Sequence, residues 1–288
     1  MACIDRCAPV LHDPHRERAF SLRRALLTCA AAVALFAAVV VCGRILAGSA
    51  SSTDFTAKFY PPSPAHPFGT DWMGRDMLAR TVAGLSTSLL LGLAAALVSG
   101  VIAFALAAVS VAGGPWADRV VGFCVDVCQG MPHLILIILI SYALGRGALG
   151  VCAGVALTHW PQLCRVLRAE MQRSLGSPHV AIARRLGRSW PRVVLDHVLP
   201  ATAAQLVTGL VLLFPQAILH EASVTFLGFG LSPEQPSVGV VLAESMTYLT
   251  AGYWWLALIP GACLLMLVLV LDRAGNAVKR LIVPEEVM

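Results

Sequence analysis

Cys124 and Cys128 stand four residues apart, on one face of any helix, with His133 about a turn further along. Thiolate and imidazole are ligands that zinc and nickel accept, but no closed tetrahedral or octahedral donor set accompanies them. No metal site is therefore assigned. His220 and Glu221 open the run "HEAS", which lacks the second histidine of a helical zinc protease. Neither a Ser-His-Asp arrangement nor a nucleophile elbow is present. A phosphate-binding G-x-x-x-x-G-K-[ST] loop is also missing, and neither lysine, Lys58 or Lys279, sits in such a loop. No catalytic residue and no cofactor are assigned, and the chain reads as a non-catalytic one.

The elements that must position these residues are apolar helices. The 288 residues are 58% hydrophobic and 13% charged, with a mean hydropathy of +0.77. A soluble domain carries about 25% charged residues, so this composition implies an integral membrane protein. Nine cysteines, most in or beside apolar runs, form no disulfide framework and read as small hydrophobes. Six spans are expected, at about 25–46, 82–111, 120–144, 147–163, 199–222 and 253–271. The fourth is cut short by Pro161 and Arg165. Pro132, Pro215 and Pro260 lie inside spans and are expected to kink them. A signal peptide cut after Ala50 is the competing reading of the first run. That run is longer than a signal core and 24 residues precede it, so a retained span is expected.

Arginine and lysine set the orientation. Sixteen lie in segments 1–24, 112–119, 161–198 and 272–288, against five in the alternate segments. Both termini are thus expected in the cytoplasm, and the net charge of +5 is topological rather than a nucleic-acid footprint. The expected organisation is a cytoplasmic segment at 1–24, a first span at 25–46 and a periplasmic segment at 47–81. A five-helix core at 82–275 with a cytoplasmic loop at 172–198 follows, then a tail at 276–288.

Depth within the spans singles out Asp126, His133, His159 and Glu221, because buried polar groups in a membrane are costly. Asp126 lies about 9 Å above the inner edge, within reach of interfacial water. His133 lies about 20 Å along the third span, directly after Pro132. It can line a solute path, as can His159 near the inner end of the fourth span. Glu221 is placed at the outer interface of the fifth. A proton relay through Asp126, His133 and Glu221 would make the chain a secondary transporter. The inverted repeats that such a transporter predicts are not seen.

Two outer blocks and one inner loop carry a family resemblance. "HPFGTDWMGRDMLARTVAGLSTSLLLGL" begins at His66 and includes Gly69, Thr70, Asp71, Gly74, Arg75, Asp76 and Arg80. Read alone, it is a turn-rich approach in which Thr70 or Asp71 caps a short helix and Asp76 pairs with Arg80 at i, i+4. It resembles the "HP-x-GTD-x-x-GRD-x-x-SR" signature of the second permease subunit of peptide and nickel ABC importers. "EASVTFLGFGLSPEQPSVGVVLAES", residues 221–245, is similar to that family's last outer loop.

Between the fourth and fifth spans, Ser177-Pro178 reads as a helix start and Gly187 as its stop. Val180, Ala183 and Leu186 are expected on one side and Arg184 and Arg185 elsewhere. The stretch resembles the "EAA-x3-G-x9-I-x-LP" coupling loop of ABC importers. Ala183, Gly187, Leu199 and Pro200 match it, while Ala181 stands in the Glu position, Ile182 in the first Ala position and His197 in the Ile position.

The resemblance implies an all-α type I ABC importer permease with a cytoplasmic coupling helix, placed in a bacterial inner membrane. It implies two separate ATPase subunits that hold ATP and magnesium, a second homologous permease and a solute-binding protein. Arg184 and Arg185 would then supply contacts to the ATPase. The cargo it implies is nickel or a metal chelate, or a di- or oligopeptide.

Overall fold

The computed structural model describes residues 14–282, with side chains described from Leu22 onward apart from Pro191. Cys3, Cys7, most of the expected 1–24 segment and the end of the 276–288 tail lie outside what it describes in full. Ten α-helices account for most of the described chain: α1 (Pro14–Ser51), α2 (Met77–Ala112), α3 (Gly114–Gly130), α4 (His133–Ala143), α5 (Gly147–Leu175), α6 (Pro178–Arg185), α7 (Trp190–Val193), α8 (Leu199–Phe226), α9 (Val238–Leu249) and α10 (Trp255–Ile282).

Four of these, α1, α2, α8 with the π turn before it, and α10, are long and apolar enough to cross a membrane. A fifth crossing is available if α3 and α4 together form one broken span. At 29 residues α5 is long enough, but Thr158, His159, Gln162 and Arg165 dilute its apolar character. It runs unbroken through Pro161 to Leu175, well past the end expected at residue 163. Proline lacks an N–H and crowds the preceding turn; here its neighbours hold the helix together across the gap.

The run 120–144 is not one straight helix. It bends by 96° between α3 and α4. Met131 is extended (φ −96°, ψ 145°) and Pro132 occupies the N-cap of α4. A residue before proline is pushed out of the helical region by the proline ring, so the break falls where the chemistry puts it. Pro215 and Pro260, by contrast, lie within the continuous helices α8 and α10.

α2 is the central element, packed against α1, α5 and α8. One apolar core fills the space among α2, α3, α4, α5 and α8, and a second joins α1, α2, α8 and α10. Small residues let these helices approach closely, as membrane helices require. A Cβ on Gly154 of α5 would lie 2.9 Å from the carbonyl oxygen of Ile137 in α4. That contact packs the middle of α4 against the first third of α5, next to where the candidate site forms.

Candidate functional site

Four helices, α3, α4, α5 and α8, line one cavity of about 310 Å³. His133 enters it from the first turn of α4, immediately after the bend. His159 enters from the middle of α5 and His220 from the outer third of α8. The three imidazoles meet edge to face, with ring centroids 4.5, 4.6 and 4.9 Å apart. One ring nitrogen from each lies within 4.8 Å of the others. His133 begins the 11-residue α4, and His159 lies about 18 Å along α5 from its first residue.

Hydrogen bonds fix two of the rings. Nδ1–H of His159 donates to the Val155 carbonyl at 2.8 Å, and Nδ1–H of His220 donates to the Gln216 carbonyl at 2.8 Å. A carbonyl can only accept, so each neutral ring keeps its lone pair on Nε2. His159 Nε2 faces His220 Nδ1 at 3.3 Å. His133 Nε2 is buried with no hydrogen-bond partner. Cys128, Thr158, Gln162 and Gln216 add soft and neutral polar groups to the lining, and among the described residues no Asp, Glu, Lys or Arg belongs to it.

His133 and His159 were expected on a path, and the cavity brings them together. Asp126 is elsewhere: its side chain is 74% exposed on the chain and paired with Arg165 at 3.1 Å, beside a smaller cavity. Glu221, near the C-terminal end of α8, is fully buried: it turns from the cavity into the helix packing and accepts from the Thr225 hydroxyl at 3.1 Å. The relay Asp126–His133–Glu221 is thus not assembled. Cys124 is exposed and only Cys128 of the pair reaches the cavity. Sequence reasoning missed His220. Its signal was available: Gln216 and His220 are a polar i, i+4 pair inside an apolar run, and Thr158, His159 and Gln162 mark one face of another.

The outer signature is a second polar site, of opposite character. Asp71 is buried, and both its oxygens are engaged. Oδ1 accepts from the backbone N–H groups of Met73 and Arg75 at 2.8 and 2.9 Å. Oδ2 accepts from Arg75 Nε and Arg80 Nη1, both at 2.6 Å. Both arginines continue to Glu244 of α9, at 3.0 and 2.9 Å. Arg80 therefore pairs with Asp71 and Glu244, not with Asp76 as its spacing suggested. Asp76, not Thr70 or Asp71, caps the helix here: it accepts from the Leu78 N–H at the start of α2. The Thr70 hydroxyl bonds the Ala57 carbonyl and accepts from the Tyr60 N–H, tying the approach segment to the same knot. Gly69 and Gly74 turn the chain with φ near +75°, and a Cβ on Gly74 would meet the Asp54 carbonyl at 1.7 Å. The Thr56 hydroxyl and backbone N–H hold the Asp54 carboxyl below its ordinary value. This clasp fastens the outer end of α2 to α9.

On the opposite side, α6 starts at Ser177-Pro178 and ends at Gly187, which takes φ +80°. Gly187 N–H bonds the Arg184 carbonyl and Arg188 N–H the Ala183 carbonyl, the paired closure of a glycine-terminated helix. Val180 is buried and Ala183 half-buried. Leu186, expected beside them, is 80% exposed, and Ile182 is 58% exposed. Ala181, Arg184 and Arg185 are exposed too. The Arg184 guanidinium lies over the Trp190 ring at 5.2 Å. Leu199 and Pro200 open α8 and are exposed.

An all-helical membrane permease subunit is the class these features define. Residues 96–283 match the binding-protein-dependent transport system inner membrane component family, and the chain belongs to that family. A peptide transport system permease of Brucella suis is 30% identical over 93% of this chain and 88% of its own. The oligopeptide transport system permease protein OppC of Mycobacterium bovis is 30% identical over 89% of each. Among solved structures, an amino acid ABC transporter with histidines superposes with a TM-score of 0.57 at 18% identity, over 70% of this chain and 94% of its own. The MetNI methionine transporter in an inward-facing state gives 0.54 at 18% identity, over 72% and 98%. These two likenesses concern the fold.

Proposed function

We propose that this chain supplies one half of the membrane path of an ATP-driven importer for a small solute delivered by a binding protein. A second homologous permease completes the path, and two separate ATPase subunits hold ATP and magnesium. Both termini face the cytoplasm, as the arginine distribution favours. The solute is of the peptide or metal-chelate class; peptide is what the relatives' names favour.

The observation that carries this reading is α6. A helix of eight residues is marginal on its own, yet this one starts at Ser177-Pro178, is closed at Gly187 and leaves Ile182 and Leu186 uncovered beside Arg184 and Arg185. Those side chains suit a groove on an ATPase subunit. Closure of two ATPases on ATP would move the seated helix, and α5 and α8, tethered to it on either side, would follow. The matched residues Ala183, Gly187, Leu199 and Pro200 frame that handle, with Ala181 leaving it no acidic contact.

Gly187→Asp places a Cβ at a positive φ and a charge beside the exposed apolar pair. It should abolish solute uptake and ATPase co-purification while the chain remains in the membrane. Wild-type uptake by this variant, or by a deletion of 178–186, would remove the basis of the proposal.

A further inference from the structure

We infer that His133, His159 and His220 form a transit site for a divalent first-row transition-metal ion of the nickel or zinc kind. As cargo, the ion rests on the permease reading above; as a binding site, it rests on the cavity alone.

The donor set is the first argument. An ion held at about 2.1 Å by imidazole nitrogens sets them about 3.0–3.5 Å apart in octahedral or tetrahedral geometry. One ring nitrogen from each histidine lies within 4.8 Å of the others, so modest ring rotations bring the lone-pair nitrogens to that spacing. The outer partners are the second. Metal-binding histidines characteristically donate their other ring N–H to a backbone carbonyl, which fixes tautomer and orientation. His159 and His220 do this toward Val155 and Gln216. The third is His133 Nε2, a buried polar atom without a partner. A buried polar atom left unpaired is costly, and a cation in the cavity would engage it.

The lining also argues against a peptide here. A peptide brings a carboxylate and an ammonium, and the cavity holds no Arg, Lys, Asp or Glu to meet either. The same lack of charge suits passage of a metal. Three neutral ligands give the ion no counter-charge, so it is held by coordination but not trapped, as conduction requires. Cys128 also lines the cavity.

The test uses the full chain, purified through a tag without histidines and reconstituted in lipid nanodiscs, with Ni²⁺ and Zn²⁺ each supplied alone. Wild type should bind one equivalent. His133→Gln, His159→Gln and His220→Gln should each weaken binding by at least the roughly tenfold loss that even outer-partner changes cause. His179→Gln and His197→Gln, at the second histidine pair of this chain, should leave it unchanged. X-ray absorption on wild type should show imidazole scattering from three ligands, a readout that does not depend on how the variants fold. An equivalent lost in the His179 or His197 variants, fewer than three imidazoles, or no binding would overturn the site. So would saturable dipeptide binding that His159→Gln abolishes without any metal equivalent. If Gly187→Asp leaves uptake intact while the metal binds, the permease reading fails and the site stands. Loss of uptake in Gly187→Asp without metal binding sinks the metal site alone.

Discussion

The outer clasp and the histidine cavity are both polar clusters in an apolar chain, and they differ in whether their partners are present. In the clasp, Asp71, Arg75, Arg80 and Glu244 satisfy one another, and Asp71 spends both oxygens doing so. In the cavity, three imidazoles face one another without a charge between them, and one nitrogen has no partner. A closed network holds elements in place; an open one awaits a ligand. The comparison therefore sets a closed ion network beside a cavity whose polar groups are not all engaged.

The largest effect that would break this comparison is on the clasp. Asp71→Ala leaves Arg75 and Arg80 with Glu244 alone, and Arg80 has a side chain only 4% exposed. Removing one partner of a buried ion network costs about 3–5 kcal/mol. Thermal unfolding in detergent should fall accordingly, and membrane yield with it. If Asp71→Ala melts like wild type, the clasp is not what fastens α2 to α9. A smaller loss, about 1 kcal/mol, is expected for Asp76→Ala, which removes the N-cap of α2 but no buried charge. Smaller again is Arg165→Ala: both partners of the Arg165–Asp126 pair are more than half exposed on the chain, and such pairs contribute about 0–1 kcal/mol. Melting of the three variants side by side gives the ranking, and any inversion of it would mean that exposure is a poor guide to these contacts.

The membrane helices were legible because α1, α2, α8 and α10 are long uninterrupted apolar runs. A kink at Pro132 was legible from the proline itself, but its 96° extent was not, since hydropathy continues straight through the break. The end of α5 was misplaced for the opposite reason: Pro161 breaks a lone helix, but packing against α2, α4 and α8 overrides that local preference. In the clasp the residues were found and their pairing was not. Spacing offered Asp76–Arg80, whereas the fold delivers Glu244 to Arg80 from α9. The cavity followed the same rule. His133 and His159 stood out as polar residues within apolar runs, but only the convergence of α4, α5 and α8 shows that His220 completes them.

The smallest expected effect on stability sharpens the contrast most. His220→Gln removes a half-buried ring whose one firm hydrogen bond goes to the Gln216 carbonyl, within its own helix. That carbonyl keeps its helical N–H partner when the ring is gone, so the net loss should stay below about 1 kcal/mol. No charge is stranded, because the cavity holds none. Uptake of the cargo should nevertheless fall steeply, since a donor on the path is lost while the walls remain. A variant that melts like wild type and fails to transport places His220 in the path. One that melts as early as Asp71→Ala would make the cavity a second clasp, with its histidines serving the fold.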